Sequence, residues 1–316
     1  MNLLVIVKDI LSLDVVIKIV IRIKNTKLHS KISNRMYTLG LKILYRDRYI
    51  LIQNNKVLSL KHKGSRCFIL GNGPSLDNVD FSLLADETVF TVNRLMLHPD
   101  YPKLKSNYHL WMDPAAFETD INYDWLSLDR SKFMNEIKQL SENGCHNLFV
   151  PTSAKDSVLK NSLDKQLNIF YLADDSTPIS NQWVNTDITK IISGAITVIH
   201  YAIICAIYMG FNEIYLLGCD STIITSYLDI ILNKPNRREG HCLGYDDSDE
   251  VSGMQDQYNH FGLISEFNNQ IQLFNGYQCL NDYCQKENIK LVNLTEKSLI
   301  DSIPRGKLED IILKLK

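Results

Sequence analysis

From Arg66 onward, short apolar runs alternate with longer amphipathic ones, and this alternation limits the fold more than any other feature of the chain. The short runs are Cys67–Gly71, Thr88–Asn93, Tyr108–Met112, Asn147–Pro151, Asn168–Leu172, Glu213–Gly218 and Lys290–Leu294. Their length, and the Gly, Asn and Asp that bound them, fit buried strands. Asp129–Asn143, Gly194–Met209, Ser265–Glu287 and Lys307–Lys316 fit helices. Strands that alternate with helices predict an α/β fold with a Rossmann-like, mostly parallel sheet covered by helices on both faces. Ser221 to Asn259, rich in Asn, Asp, Gly and Ser after Leu232, reads as a mobile lid loop, so the lid spans about 221–262.

Charge separates the first sixty residues from the rest. Residues 1–66 hold fourteen Lys and Arg against Asp9, Asp14 and Asp47, and the remaining 250 carry a net −13. A basic element of this kind meets a polyanion, either nucleic acid or an anionic membrane face. No apolar run reaches the length of a membrane span, and Lys8, Asp9 and Asp14 interrupt the stretch where a signal peptide would lie. On a helix, Asp14, Lys18 and Arg22 form one polar stripe with Ile and Val covering the remainder. Leu41, Ile43, Leu44 and Ile50 are interleaved with Lys42, Arg46 and Arg48 in the same way. Residues 1–60 are therefore expected to lie on an anionic membrane surface, or else to pack on the body or on a second copy in a homo-oligomer. Nucleic acid ranks behind both, because the aromatic and Gly pattern of an RNA-binding sheet is missing. Residues 61–316 form the second unit. Seven cysteines without a C-x-x-C pair read as reduced thiols rather than a disulfide framework or a zinc site.

Four motifs carry chemistry. Gly71-Asn72-Gly73-Pro74-Ser75 follows the first strand, where a glycine turn opening toward a helix suits a nucleotide phosphate. Asn72 and Ser75 add hydrogen-bonding groups, and no P-loop lysine follows. Ser193-Gly194 opens the apolar helix, with Ser193 as the expected N-cap. Asp220 stands just past the strand Glu213–Gly218, where open α/β sheets bind ligands. His260 closes the lid as a candidate general base, whereas His200, inside the apolar helix, reads as structural. Asp246-Asp247-Ser248-Asp249-Glu250 contains a D-x-D that could hold Mg²⁺ or Mn²⁺, although an acidic solvated loop explains it more simply.

Taken together, Gly71 to Leu76, Val92-Asn93-Arg94, and the stretch from Ser193-Gly194 through Met209 to Asp220 resemble the bacterial sialyltransferases of glycosyltransferase family 42. The related motility-associated-factor flagellin glycosyltransferases share much of the pattern, which covers about Arg66 to Thr295. The resemblance implies a metal-independent, inverting transfer of a nonulosonic acid from a CMP-sugar to a glycan or lipid-linked acceptor of a surface polysaccharide. The donor would be a sialic acid, Kdo or legionaminic acid. It also implies roles for individual residues. Gly71, Asn72, Gly73 and Ser75 would hold the nucleotide with Asn93, Ser193, Gly194 and Asp220, while Asp113 and Arg94 would lie near donor or acceptor. His260 would be the base. Lys190 stands where the family has an arginine, keeping the charge without the bidentate fork. Thr222 replaces one lid tyrosine, and Tyr227 or Tyr245 would replace the other as a stabiliser of the leaving phosphate. The expected location is cytoplasmic, peripheral on the inner face of the membrane. Two other classes fit parts of the pattern: a pterin diphosphokinase-like enzyme using Mg-ATP through Asp220 with Asp246 or Asp249, and a non-catalytic membrane scaffold of polysaccharide assembly.

Overall fold

Each of the seven apolar runs forms a strand of one parallel sheet in the computed structural model, which describes residues 39–40, 42–43, 46–117, 130–180, 184–232, 241–243 and 247–312 of the 316. The strands are β1 (Arg66–Leu70), β2 (Val89–Val92), β3 (Tyr108–Leu110), β4 (Asn147–Pro151), β5 (Asn168–Leu172), β8 (Glu213–Leu217) and β9 (Lys290–Asn293). Their spatial order is β5-β4-β3-β2-β1-β8-β9, and every neighbouring pair is parallel. Successive side chains of β1 enter opposite cores. Phe68 and Leu70 belong to one core with Tyr215, Leu217 and Val150, whereas Cys67 and Ile69 belong to the other with Ile214, Leu216 and Phe149. Burial on both faces is why these strands read as continuous apolar runs rather than as alternating ones.

The first core is covered by α2 (Arg130–Glu142) through Met134, Ile137 and Leu140. On the second face lies α4 (Val198–Tyr208), and outside it the carboxyl-terminal part of α6 (Asp247–Lys286). Sandwiched between sheet and helix, α4 is apolar all round, as its position requires. Gly276 of α6 lets the helices close on each other, because a Cβ there would stand 2.4 Å from the His200 ring. The seven cysteines are all buried and none is disulfide-bonded. Among the described residues no helix is long and apolar enough to cross a membrane.

Several expectations are corrected. No α-helix follows the glycine turn near Asp77 or Asp80. Two 3-10 turns, Pro74–Asn78 and Phe81–Leu84, cross to β2 instead, since Pro74, Asp77, Asn78 and Asp80 are turn formers and Asp80 accepts the Ser82 N–H. Ser193 and Gly194 do not open α4. They belong to β7 (Ile192–Gly194), paired with β6 (Asp174–Pro178) in a small second sheet, and Thr197 caps the helix by accepting the Ile199 N–H. Most of the described part of the lid is helical rather than loop: α5 (Ile223–Ile231) and the start of α6 occupy it, with Gly262 (φ +72°) breaking α6, while 241–243 is a turn. Tyr245 and Asp246 lie outside the described residues, as do the side chains of Tyr227, Asp247 and Asp249. In α1 (Arg46–Gln53) and the turn after it, Ile52, Asn55 and Leu58 are buried, and Asn55 Nδ2 donates to the Tyr171 and Ile188 carbonyls at 2.7 and 2.8 Å. Residues 46–60 are therefore part of the body.

Two histidines are sealed in the cores. Burial lowers His109 and His200 to about 3, well below the ordinary imidazole value. The folded chain therefore refuses protons that the unfolded chain accepts below about pH 6.5, so stability falls as pH drops from there toward 3. In urea titrations between pH 6.5 and 4, His200→Gln should flatten the slope of unfolding free energy against pH by about one proton, ~1.4 kcal/mol per pH unit. An unchanged slope would mean that His200 takes up its proton in the folded state.

Candidate functional site at the switch point of the sheet

The chain leaves β1 toward β2 on one side and returns to β8 on the other, so the turns after these two adjacent strands diverge. Ligands of open parallel sheets bind at such a point. A cavity of about 530 Å³ lies there, lined by Gly71–Gly73 after β1, Asn93 after β2, 195–199 at the start of α4, 218–223 after β8, His241, and Glu266, Asn269, Gln270, Leu273 and Tyr277 of α6. The α6 residues recur at three- and four-residue spacing and form one helical face.

The turns interlock. Gly71 N–H donates to the Leu217 carbonyl and Gly73 N–H to the Gly218 carbonyl, both at 2.8 Å. A Cβ on Gly71 would stand 2.4 Å from the Gly218 oxygen, and one on Gly73 would stand 1.8 Å from Asp220 Oδ2. Gly218 (φ +62°) would collide with Leu76 if it carried a side chain. The glycines are thus required by turn-on-turn packing, in addition to any approach of a ligand. Ser75 Oγ donates to Asp220 Oδ2 at 2.7 Å, so its hydroxyl orients the carboxyl instead of facing the cavity. Burial raises the Asp220 pKa, with the Ser75 hydrogen bond opposing. From behind, Thr295 Oγ1 accepts the Cys219 N–H and Ser298 Oγ donates to the Cys219 carbonyl.

His241 is held by its neighbours. Cys242 N–H donates to the Asn72 carbonyl and Leu243 N–H to Asp77 Oδ1, each at 2.8 Å, tying 241–243 across the glycine turn. Three buried amide oxygens of the lining, Asn72 Oδ1, Asn93 Oδ1 and Gln270 Oε1, have no hydrogen-bond partner among the described residues. Such groups are costly unless water or a ligand satisfies them. Asn93 and Ser221 hold left-handed backbone (φ +45° and +56°), a strain found where surrounding packing imposes a functional geometry.

Of the residues singled out in the sequence, Gly71, Asn72, Gly73, Asn93 and Asp220 line the cavity with Thr222, while Ser75, Arg94, Asp113, Lys190, Ser193, Gly194 and His260 do not. Ser193 is buried in β7, its Oγ accepting the Asn185 N–H at 3.4 Å, and Gly194 pairs with Pro178. Arg94 forms a buried bidentate pair with Glu136 (2.9 and 2.7 Å), which ties the end of β2 to α2. Removing one member of such a pair costs about 3–5 kcal/mol. Lys190 is exposed and pairs with Asp187 at 2.6 Å. Asp113 is exposed beyond β3. His260 is exposed, its ring edge-on to Phe261, and is not a lining residue, whereas His241 is. Sequence reading overlooked Thr197, His241, Glu266 and Gln270. The sequence predicts a helix at Ser265–Glu287, and only the helical spacing of 266, 270, 273 and 277 could have marked one of its faces as a wall of the cavity. Among the described residues, no three His, Cys, Asp or Glu side chains gather to hold a metal ion.

Gly73→Ala tests the interlock directly. We expect the urea midpoint to fall by the equivalent of ~1–3 kcal/mol, since the Gly218 oxygen would also lie 2.6 Å from the new Cβ. A variant of native stability would show that the two turns have room to part.

No protein-family model and no curated protein matches the chain. Solved structures do. The sialyltransferase CstII from Campylobacter jejuni in complex with cytidine-5'-monophosphate is similar at a TM-score of 0.42, with 18% identity over 77% of this chain and 85% of that one. CstII with trisaccharide acceptor and CMP gives a TM-score of 0.40, with 17% identity over 76% and 86%. The monofunctional alpha-2,3-sialyltransferase Cst-I from Campylobacter jejuni gives 0.42, with 15% identity over 77% and 80%. Likeness at this level assigns no residue and no activity to the chain.

Proposed function

We propose that the chain is a glycosyltransferase that moves a nonulosonic acid from a CMP-activated donor to the hydroxyl of a glycan or lipid-linked acceptor. The supporting observation is the switch-point cavity with its three buried, unsatisfied amide oxygens. A nucleoside supplies the hydrogen-bond donors such oxygens need. In this reading Asp220 and Asn72 accept ribose hydroxyls, as acidic residues past a strand end do in dinucleotide folds. The first turn of α4, capped by Thr197, directs backbone N–H groups and the positive end of its dipole at the phosphate.

The chemistry asks little more. CMP departs as a phosphate monoester, and backbone donors at a helix N-terminus stabilise the charge that develops on it. The attacking hydroxyl loses its proton to an imidazole, and we assign that role to His241, because it lines the cavity while His260 is exposed on the outer part of α6. In-line attack from the side opposite the phosphate inverts the anomeric carbon, and no step calls on a metal ion.

CMP should raise the melting temperature of the protein in EDTA, whereas AMP and GMP should not. With a CMP-sugar donor, His241→Ala should lower turnover by about 10²–10⁴-fold while leaving CMP binding intact, and His260→Ala should change it by less than about tenfold. The opposite pattern would return the base to His260. A thermal shift from Mg-ATP in place of CMP would replace the transferase with a diphosphokinase-like enzyme.

We further propose that the amino-terminal segment seats the protein on the inner face of the cytoplasmic membrane. Leu39, Ile43 and Ile50 are exposed beside exposed Lys42, Arg46 and Arg48. Apolar side chains flanked by cations bind anionic bilayers, with each cation worth ~1 kcal/mol. The variant Lys42→Glu/Ile43→Asp/Arg46→Glu/Ile50→Asp should stay in the supernatant when vesicles rich in phosphatidylserine are sedimented, while the unaltered chain pellets with them. Equal pelleting would reject the surface.

A further inference from the structure

The two walls of the cavity ask for different chemistry. On the sheet side, the start of α4 offers backbone donors. On the α6 side stand Glu266, Asn269 and Gln270, and no Lys or Arg is present among the described lining residues. An anion is therefore repelled from the α6 wall, and a hydrogen-bond donor is drawn to it.

Gln270 shows this most clearly. It is 8% exposed, and its Nε2 donates to Glu266 Oε1 at 2.7 Å. A carboxylate accepts hydrogen bonds and has none to give, so the pairing fixes the sense of the amide: nitrogen toward Glu266, oxygen away from it. That oxygen is buried with no partner among the described residues, in a residue that lines the cavity. Glu266 is itself buried.

We infer that Gln270 selects an amino-bearing pyrimidine, cytosine over uracil, and that Glu266 is the positioning residue that makes this choice possible. The inference rests on the cytidylate reading above. Cytosine presents an exocyclic amine where uracil presents a carbonyl. The amine donates to Gln270 Oε1. A uracil carbonyl would set two acceptors against each other, and the amide cannot turn to welcome it without driving its own oxygen onto the Glu266 carboxylate. Selection then combines an attraction with a built-in repulsion, which is how a polar pocket rejects a near-isostere.

Isothermal titration with CMP and UMP tests this on the full chain and on Glu266→Gln and Gln270→Leu. The unaltered protein should prefer CMP by at least about tenfold. Glu266→Gln gives Gln270 a partner that both donates and accepts, so the amide is free to turn. The CMP-to-UMP ratio should then collapse toward one, chiefly through tighter UMP binding. Gln270→Leu should weaken CMP by about tenfold and also erase the preference. A purely structural role would weaken both nucleotides equally and keep the ratio. If Gln270→Leu fails to fold, Glu266→Gln alone carries the test. A ratio retained in the variants, or equal binding of CMP and UMP by the unaltered protein, overturns the inference and leaves the transferase proposal standing. Binding of neither nucleotide overturns the cytidylate reading itself.

Discussion

Everything at the carboxyl end of the sheet depends on the contact between two turns. Adjacent parallel strands lie about 4.8 Å apart, and the chain leaving β1 must part from the chain leaving β8 without opening a gap in the core. Gly71, Gly73 and Gly218 allow the turns to touch first and diverge afterwards. Leu76 fills the space that a side chain on Gly218 would occupy, and Ser75 and Asp220 close the remaining polar gap with one hydrogen bond. The cavity begins where that contact ends. Its floor is thereby tied directly to the sheet by packing and hydrogen bonds.

The contact also sorts the polar groups. Ser75 belongs to the framework because its hydroxyl is given to Asp220. Asn72 offers its carbonyl to the Cys242 N–H, which draws the 241–243 segment over the turn and brings His241 to the lining. The histidine thus reaches the site through a backbone hydrogen bond to the glycine turn itself. A distortion of that turn would move the floor and the imidazole together.

How much of this was legible in the sequence follows from what sequence patterns encode. The seven strands were, because a parallel strand buried on both faces has to be a short apolar run, and little else in a chain of this composition looks like one. Asp174–Pro178 was invisible as a strand: DDSTP has no apolar residue except its proline, and it pairs only because Ile192–Gly194 lies beside it. That pairing in turn hid the true start of α4, since Ser193-Gly194 is as good a helix entry locally as Ala195-Ile196-Thr197. Asn72, Asn93 and Asp220 were legible because they follow strand ends, and strand ends define the binding edge of such a sheet. His241 and Gln270 were not. Their place in the site comes from chain packing more than 140 residues away from the glycine turn, and no local pattern records it. Arg94 stood next to Asn93 and was read with it, yet a left-handed Asn93 sends the two side chains to different neighbours, one to the cavity and the other to Glu136.

Helix α6 joins the interior of the site to the exterior of the molecule. Residues 266, 270, 273 and 277 face the cavity, while Ile264 (80% exposed), Phe267 and Ile271 lie about a third of a turn or more away around the axis and face outward. One helix therefore carries the Gln270–Glu266 amide–carboxylate pair on one side and an apolar row on the other. The break at Gly262 lets this segment run independently of the stretch that bears His260 and Phe261, because the left-handed backbone there interrupts the hydrogen-bond ladder that would otherwise couple them. Gly276 lets the far end close against His200, which fixes the cavity-facing side of the helix toward its carboxyl end.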